Sequence, residues 1–318
     1  MSRSANPQPI RLAMLGMVEE NGHPFSWSAI INGRFNAAII RDAGYSVISD
    51  YLSAQPQSAL GLPGAEITHI WCDRPEDTKA VAHSAGIDHC VDDPTDVIGH
   101  VDAVIIPTDK GEEHFDRARP FVEAGLPVFI DKPLTIRADH LKQFIAWHDA
   151  GKSICSSSAM RYAREFLDLR QRLAEVGQPR LLVATCAKSW ERYGIHAIEA
   201  VYGLLPPGGW RSVCNTGSSE ANVVHIRHEQ PVDIIVAVIE DMFGGFCHVT
   251  VYGTKGRLDA RFTDSFTAFK AQLQAFVEHL RSDTESISFA DTIEQMKIII
   301  AGIDSRESGG QLYLLDRA

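Results

Sequence analysis

The chain has 318 residues, 45% hydrophobic and 22% charged, and its 41 acidic side chains outnumber 30 basic ones to give a formal net charge of −11. This length is enough for two domains with a sizeable core, and the acidic balance argues against broad nucleic-acid binding, which needs a basic face. No apolar run approaches a membrane span, and the polar start MSRSANPQP has no signal-like apolar stretch behind it, so a cytoplasmic protein without membrane partners is expected. The six cysteines are scattered with no Cys-x-x-Cys pair, a pattern of buried thiols rather than of a zinc site or a disulfide framework.

The first strand is read at Leu12 to Leu15, closed by Gly16. A dinucleotide fingerprint would continue Gly-x-Gly-x-x-Gly, but Met17, Val18, Glu19, Glu20 and Asn21 intervene before Gly22. Pro24 suits the first turn of a helix, FSWSAIINGRF, that ends near Gly33. Roughly fifty residues then separate the first strand from EITHIWCD, where a compact strand–helix–strand unit needs about thirty in all, so an insertion at about 34–65 is expected.

Regular alternation follows: strand ITHIWC, helix PEDTKAVAHSAG, strand VDAVIIP, helix GEEHFDRARPFVEAG, strand PVFID, helix ADHLKQFIAWHDAG and strand KSICSSSAM. Gly86, Gly125 and Gly151 each stand where a helix C-terminal cap belongs. Such alternation implies an α/β fold with a doubly wound parallel sheet. The second half changes style. PRLLVATCAK, ANVVHIRHE, VDIIVAVIED, GFCHVTVYGT and GRLDARF read as consecutive strands of an open antiparallel meander, followed by helices FTAFKAQLQAFVEHLRS and FADTIEQMKIIIAGIDSRESGG. The expected division is 1–153 and 154–318, with the C-terminal helix packing back on the first domain.

Chemistry concentrates in two segments. In PVFIDKPLT, Lys132 leaves a buried strand at the sheet's carboxyl edge, where doubly wound folds bind ligands. Pro133 biases it to extended backbone, and partial burial is expected to lower its pKa toward proton transfer. In KSWERYGIHAIEAVY, Arg192, His196 and Glu199 share a helical face, and His196 suits a general acid/base, or else an ion network with its neighbours. Asp73 ends the second strand, where a carboxylate accepts from an adenosine ribose; Arg74 beside it could instead face a 2′-phosphate, which leaves NAD and NADP both open. The histidine pairs His225/His228 and His23/His69 read as core or surface residues.

The run VDAVIIPTDKGEEHFDRARPFVEAGLPVFIDKPLT resembles the glucose-fructose oxidoreductase/inositol dehydrogenase/MocA (Gfo/Idh/MocA) family. Pro107, Thr108, His114 and Asp131-Lys132-Pro133 match its motif, SSSAMRYAREF resembles the segment entering its second domain, and the two C-terminal helices are similar as well. The resemblance implies an N-terminal Rossmann-like domain for NAD, with NADP possible, and a C-terminal α+β domain whose open, mostly antiparallel sheet forms a homo-oligomer. It implies hydride transfer between nicotinamide and a secondary alcohol of a sugar, cyclitol or related polyol. Lys132, His196 and Arg192 would then be catalytic, and Gly16, Asp73, Thr108, His114, Asp131 and Pro133 would surround the cofactor. Arg161, Trp190 and Tyr193 would contact the substrate, and no metal is implied. Two departures stand out: the long loop after Gly16, and Arg192 where the family usually has an aspartate four residues before its histidine, which suggests an anionic substrate. A non-redox lyase or isomerase on the same site and a silent partner subunit are the alternatives.

Overall fold

A computed structural model describes residues 8–242, 244, 246–282 and 286–315. The first sheet holds six strands: β1 (Ile10–Leu15), β2 (Ala65–Trp71), β3 (His89–Cys90), β4 (Ala103–Ile106), β5 (Val128–Ile130) and β6 (Ile154–Ser156). They are all parallel, in the order β3-β2-β1-β4-β5-β6. Every residue of β4, β5 and β6 is buried, because helices cover both faces of a parallel sheet. The order reverses between β1 and β4, which opens a crevice at the carboxyl edge.

The β1-to-β2 crossover carries α1 (His23–Asn32), then an insert of α2 (Ala37–Asp42) and α3 (Ser46–Ser53). Asn36 caps α2, its side chain accepting from the Ala38 and Ile39 amides at 3.0 and 3.3 Å. Gly44, at φ +93°, makes the turn between the two insert helices. The later crossovers are α4 (Pro75–Ala85), α5 (His114–Glu123) and α6 (Ala138–Asp149).

Beyond β6 come α7 (Arg164–Gln171), β7 (Pro179–Ala187), α8 (Trp190–Tyr202), β8 (Trp210–Asn215), β9 (Ala221–His228), β10 (Asp233–Ile239), β11 (His248–Gly253), β12 (Arg257–Arg261), α9 (Ser265–Arg281), α10 (Phe289–Glu307) and β13 (Tyr313–Leu314). The seven strands run β12-β11-β7-β10-β9-β8-β13. The sheet is not a plain meander: β7 and β10 are parallel, because α8 carries the chain across the sheet before β8 begins. The short elements α7, β3 and β13 carry too little periodicity to be read from sequence.

Helices α8 and α10 cover one face of the second sheet. The C-terminal helix α10 packs back on the first sheet, with Thr292 Oγ1 donating to Ser156 O at 2.9 Å, and α9 reaches the first domain as well: Phe276 packs on Phe129 with ring centroids 5.3 Å apart, and Gln272 Nε2 donates to Ser157 O at 2.5 Å. It also grips the insert margin, with Lys270 Nζ donating to Ala59 O at 2.5 Å and Arg281 Nη2 to Pro63 O at 3.0 Å. The expected buried thiols are found at Cys72, Cys155, Cys186 and Cys247; Cys214 is half-buried and Cys90 exposed.

Candidate active site

Two neighbouring parallel strands deliver the polar residues of the crevice: β4 runs into Pro107-Thr108-Asp109, and β5 into Asp131-Lys132-Pro133. The Lys132–Pro133 peptide is cis. His114 ties the two loops together, with Nδ1 at 2.8 Å from Pro133 O and Nε2 at 2.8 and 3.1 Å from Thr108 O and Oγ1. Burial lowers its pKa, so the ring is neutral; both nitrogens face carbonyl oxygens, which can only accept, so the one that carries the proton donates to Pro133 O or Thr108 O. Both His114 and Thr108 are fully buried by protein alone, which corrects the expectation that they touch the cofactor: they fix the loops instead. Asp131 likewise lies behind the lysine, its carboxylate 3.0 Å from His23 Nδ1.

The Lys132 ammonium is 3% exposed, 3.6 Å from Asp109 Oδ2, 3.9 Å from Asp131 Oδ2 and 4.9 Å over the Tyr193 ring. Burial alone would lower its pKa, but the carboxylates of Asp131 and Asp109 outweigh burial and raise it. The expectation of a lowered lysine pKa is therefore corrected, and Lys132 is a cation at neutral pH. Arg192 does not await an anionic substrate either. Its guanidinium is held by Asp109 at 2.9 and 3.0 Å, and it is not among the residues lining the cavity in front of Lys132. Asp109 thus stands between two cations; burial pushes its carboxyl up, yet Lys132 and Arg192 hold it well below the usual range.

From the other domain, α8 brings His196, which hydrogen-bonds through Nδ1 to Ser158 Oγ at 2.7 Å rather than to Arg192 or Glu199. Burial, and next the Lys132 charge, push its pKa well below the ordinary imidazole value, so the ring is neutral. Tyr193 lines the same cavity, and Lys188 Nζ donates to its hydroxyl at 3.0 Å. Two expected substrate contacts lie elsewhere. Trp190 is fully buried between Gly194 and Gly302, where an added Cβ would come within 2.8 and 2.7 Å of its ring, and its indole N–H donates to Ile299 O at 2.9 Å. Arg161 is spent on Glu199, at 2.8 and 3.0 Å, joining the entry segment to α8.

The cavity shared by Lys132, His196 and Tyr193 measures about 440 Å³. It also contains residues that sequence reasoning missed: Asp109, His23 and, from the insert, Tyr45, Ile48 and Tyr51. A charged residue three places beyond a fully buried strand was the available signal for Asp109. His23 gave none, because its partner Asp131 is 108 residues away.

A second cleft of about 600 Å³ opens beside it at the ends of β1 and β2 and shares Glu20 and Tyr45 with the first. Gly16, at φ +113°, brings backbone close: an added Cβ would lie 2.9 Å from Thr108 Cγ2 and 3.7 Å from Asp73 Oδ2. Asp73 accepts from Met17 N at 2.9 Å and from Arg117 Nη2 at 2.7 Å. Arg74 turns to Asp77, at 2.7 Å. The second cleft carries the Asp73 carboxylate at the end of β2 and the cations Lys110 and Arg117, both paired with Glu113 and the latter also with Asp73; the two adjoining clefts together are of a size to take a dinucleotide. The pyrophosphate turn is altered, however. Asn21 Oδ1 already accepts the His23 amide at 2.9 Å, Pro24 has no N–H, and Tyr45 and Ile48 lie against Gly22. A pyrophosphate there would meet Lys110 and Arg117 rather than the α1 N-terminus, in competition with Glu113 and Asp73.

The two neutral buried histidines set an acid-stability prediction. Both have folded pKa values below the unfolded 6.5, so the unfolded chain binds more protons as pH falls. Stability from His114 and His196 is complete above 6.5 and declines as pH drops from there toward their folded values. Thermal midpoints measured from pH 7.5 to pH 5 in constant salt should fall, and His114→Gln should flatten the dependence; an unchanged midpoint across that range would contradict the assignment.

Residues 43–157 match the family model described as oxidoreductase family, NAD-binding Rossmann fold; the match begins after the altered loop. No match was found among curated proteins. Solved structures share the fold along the whole chain. Scyllo-inositol dehydrogenase from Lactobacillus casei with bound NAD(H) and scyllo-inositol is 16% identical, with TM-score 0.73 and coverage of 96% of this chain and 99% of that one. Myo-inositol 2-dehydrogenase from Lactobacillus plantarum is 14% identical, with TM-score 0.75 over 97% and 100%. GenD2 from gentamicin A biosynthesis, in complex with NAD, is 14% identical, with TM-score 0.75 over 98% of each chain. At such identities the likeness speaks for the fold alone, and the likeness to the family is carried by residues 43–157, which include the Asp-Lys-Pro turn. Over residues 43–157 the chain is similar to the Gfo/Idh/MocA family of NAD-binding oxidoreductases.

Proposed function

We propose that the protein is an NAD-dependent dehydrogenase that reversibly oxidises a secondary alcohol, of the broad class to which sugars and cyclitols belong. One observation carries this reading: a cationic Lys132 and a neutral His196 line one cavity that joins a cleft suited to a dinucleotide. When bound, the nicotinamide supplies the hydride acceptor. The Lys132 ammonium, aimed by Asp109 and Asp131, stabilises negative charge developing on the substrate oxygen. In the tautomer that donates Nδ1–H to Ser158 Oγ, His196 presents an unprotonated Nε2 to take the hydroxyl proton, and it returns that proton in the reductive direction. The Asp73 carboxylate favours NAD, since it would repel a 2′-phosphate. Nicotinamide absorbance followed with a panel of secondary alcohols tests the reading. Alcohol-dependent NADH formation is expected, and its absence with both NAD and NADP across the panel would count against it.

Self-association belongs to the same proposal. The face of the second sheet opposite α8 and α10 presents half-exposed Val183, Ile235 and Ile239 and the exposed Val223 and Tyr252, and a second copy of this face is the proposed cover. Sedimentation should show an oligomer that Val223→Glu weakens at least tenfold; a wild-type monomer at micromolar concentration would contradict it.

A further inference from the structure

The cavity in front of Lys132 has two unlike walls. One holds the reactive groups, Lys132, His196 and Tyr193. The other is built by the insert and the second domain, from Tyr45, Val47, Ile48, Phe262 and Phe269. Apart from the Tyr45 and Ser265 hydroxyls, the polar groups on or near this second wall are already engaged. Asn21 Nδ2 donates to Pro107 O at 3.0 Å while its Oδ1 accepts the His23 amide; His23 Nδ1 meets Asp131; and the Tyr51 hydroxyl is bonded to Ser26 Oγ. Glu20 and Ser46 are exposed at the mouth. A polyol with a hydroxyl on every ring carbon would therefore leave several of them facing apolar side chains, without partners.

Val47 marks the rim of this wall. It stands on the first turn of α3, is 75% exposed, and lines the cavity rim. Gly44, with φ +93°, precedes the segment, and Phe269 opposite packs on His23 and Trp27 with ring centroids 5.1 and 6.0 Å away. An exposed branched side chain at a rim continuous with aromatic rings is suited to cover an apolar ligand group rather than a hydrated one.

We propose that the substrate of this site is a secondary alcohol carrying an apolar, ring-sized substituent, with the reacting carbon toward Lys132 and His196 and the substituent against the insert wall. This rests on the dehydrogenase reading for the word substrate, and on the cavity alone for the class of ligand. The insert in the first crossover thereby becomes the element that sets specificity.

Calorimetric titration of the full-length protein with saturating NAD, using methyl β-glucoside and phenyl β-glucoside as matched probes, tests it. The phenyl compound is expected to bind at least tenfold more tightly, and Val47→Asp should erase that gain by placing a carboxylate where the phenyl ring would lie. Equal affinities, or no binding of either probe, would overturn the proposal, as would a phenyl preference that persists in Val47→Asp. Equal affinities are also the result expected if the apolar wall serves the nicotinamide ring instead. Turnover is read separately by nicotinamide absorbance: tighter phenyl binding without NADH formation would sink the dehydrogenase reading and leave the ligand class standing.

Discussion

Lys132→Met is expected to lower kcat/KM by about a thousandfold, the range seen when a positioned proton-transfer or charge-stabilising group is lost. Methionine preserves the length and most of the volume of the side chain, so the loss isolates the ammonium. The reason for so large an effect is burial. With 3% exposure and two carboxylates within 4 Å, the charge acts where water cannot screen it, and it lies at the sheet edge where the substrate oxygen must arrive. The raised pKa means that the lysine is not the base, so the acid limb of the pH–rate profile should belong to His196 and lie below pH 6.5. Cofactor affinity should change far less than kcat. Steady-state kinetics with separate measurement of NAD affinity checks both statements; a variant retaining a tenth or more of wild-type kcat/KM would remove Lys132 from the chemistry.

Asp109→Asn should damage both stability and activity. The carboxylate is 2% exposed and faces Lys132 and a doubly hydrogen-bonded Arg192. Removing its charge leaves two cations close together with only Asp131 to compensate, and breaking a buried ion pair in this way costs about 3–5 kcal/mol. Because Asp109 raises the lysine pKa, the basic limb of the pH–rate profile should also move to lower pH. Asp109→Glu should recover part of the activity. A purely structural aspartate would lower the melting temperature without moving that limb, and thermal melts beside pH–rate profiles separate the two cases.

The fold was legible because its signals are local. The buried runs Ala103–Ile106 and Val128–Ile130, separated by a helix pattern ending at Gly125, can only be parallel strands covered on both faces, and the Asp-Lys-Pro turn then falls at the ligand edge. The site was only half legible because it is assembled from both domains. Asp109 and Arg192 are 83 residues apart, and nothing in either segment says that they meet. Their pairing gives the Arg192 guanidinium a carboxylate partner within the protein. The resemblance implied a substrate contact for Trp190, but Gly194 and Gly302 make room for its ring in the core. The parallel pairing of β7 with β10 was hidden because strand content does not encode order once a helix intervenes.

The loop from Gly16 to Gly22 is the point on which the account turns, since the family match starts beyond it and the insert packs onto its end. Calorimetric titration of the cofactor-stripped protein with NAD(H) at two salt concentrations tests it most directly. Micromolar binding that weakens at high salt is the predicted result, because side-chain cations such as Lys110 and Arg117 rather than the α1 N-terminus would meet the pyrophosphate. No heat with either redox form at low salt, with NADH fluorescence also unchanged, would contradict the dehydrogenase reading and leave a non-redox site around Lys132 and His196.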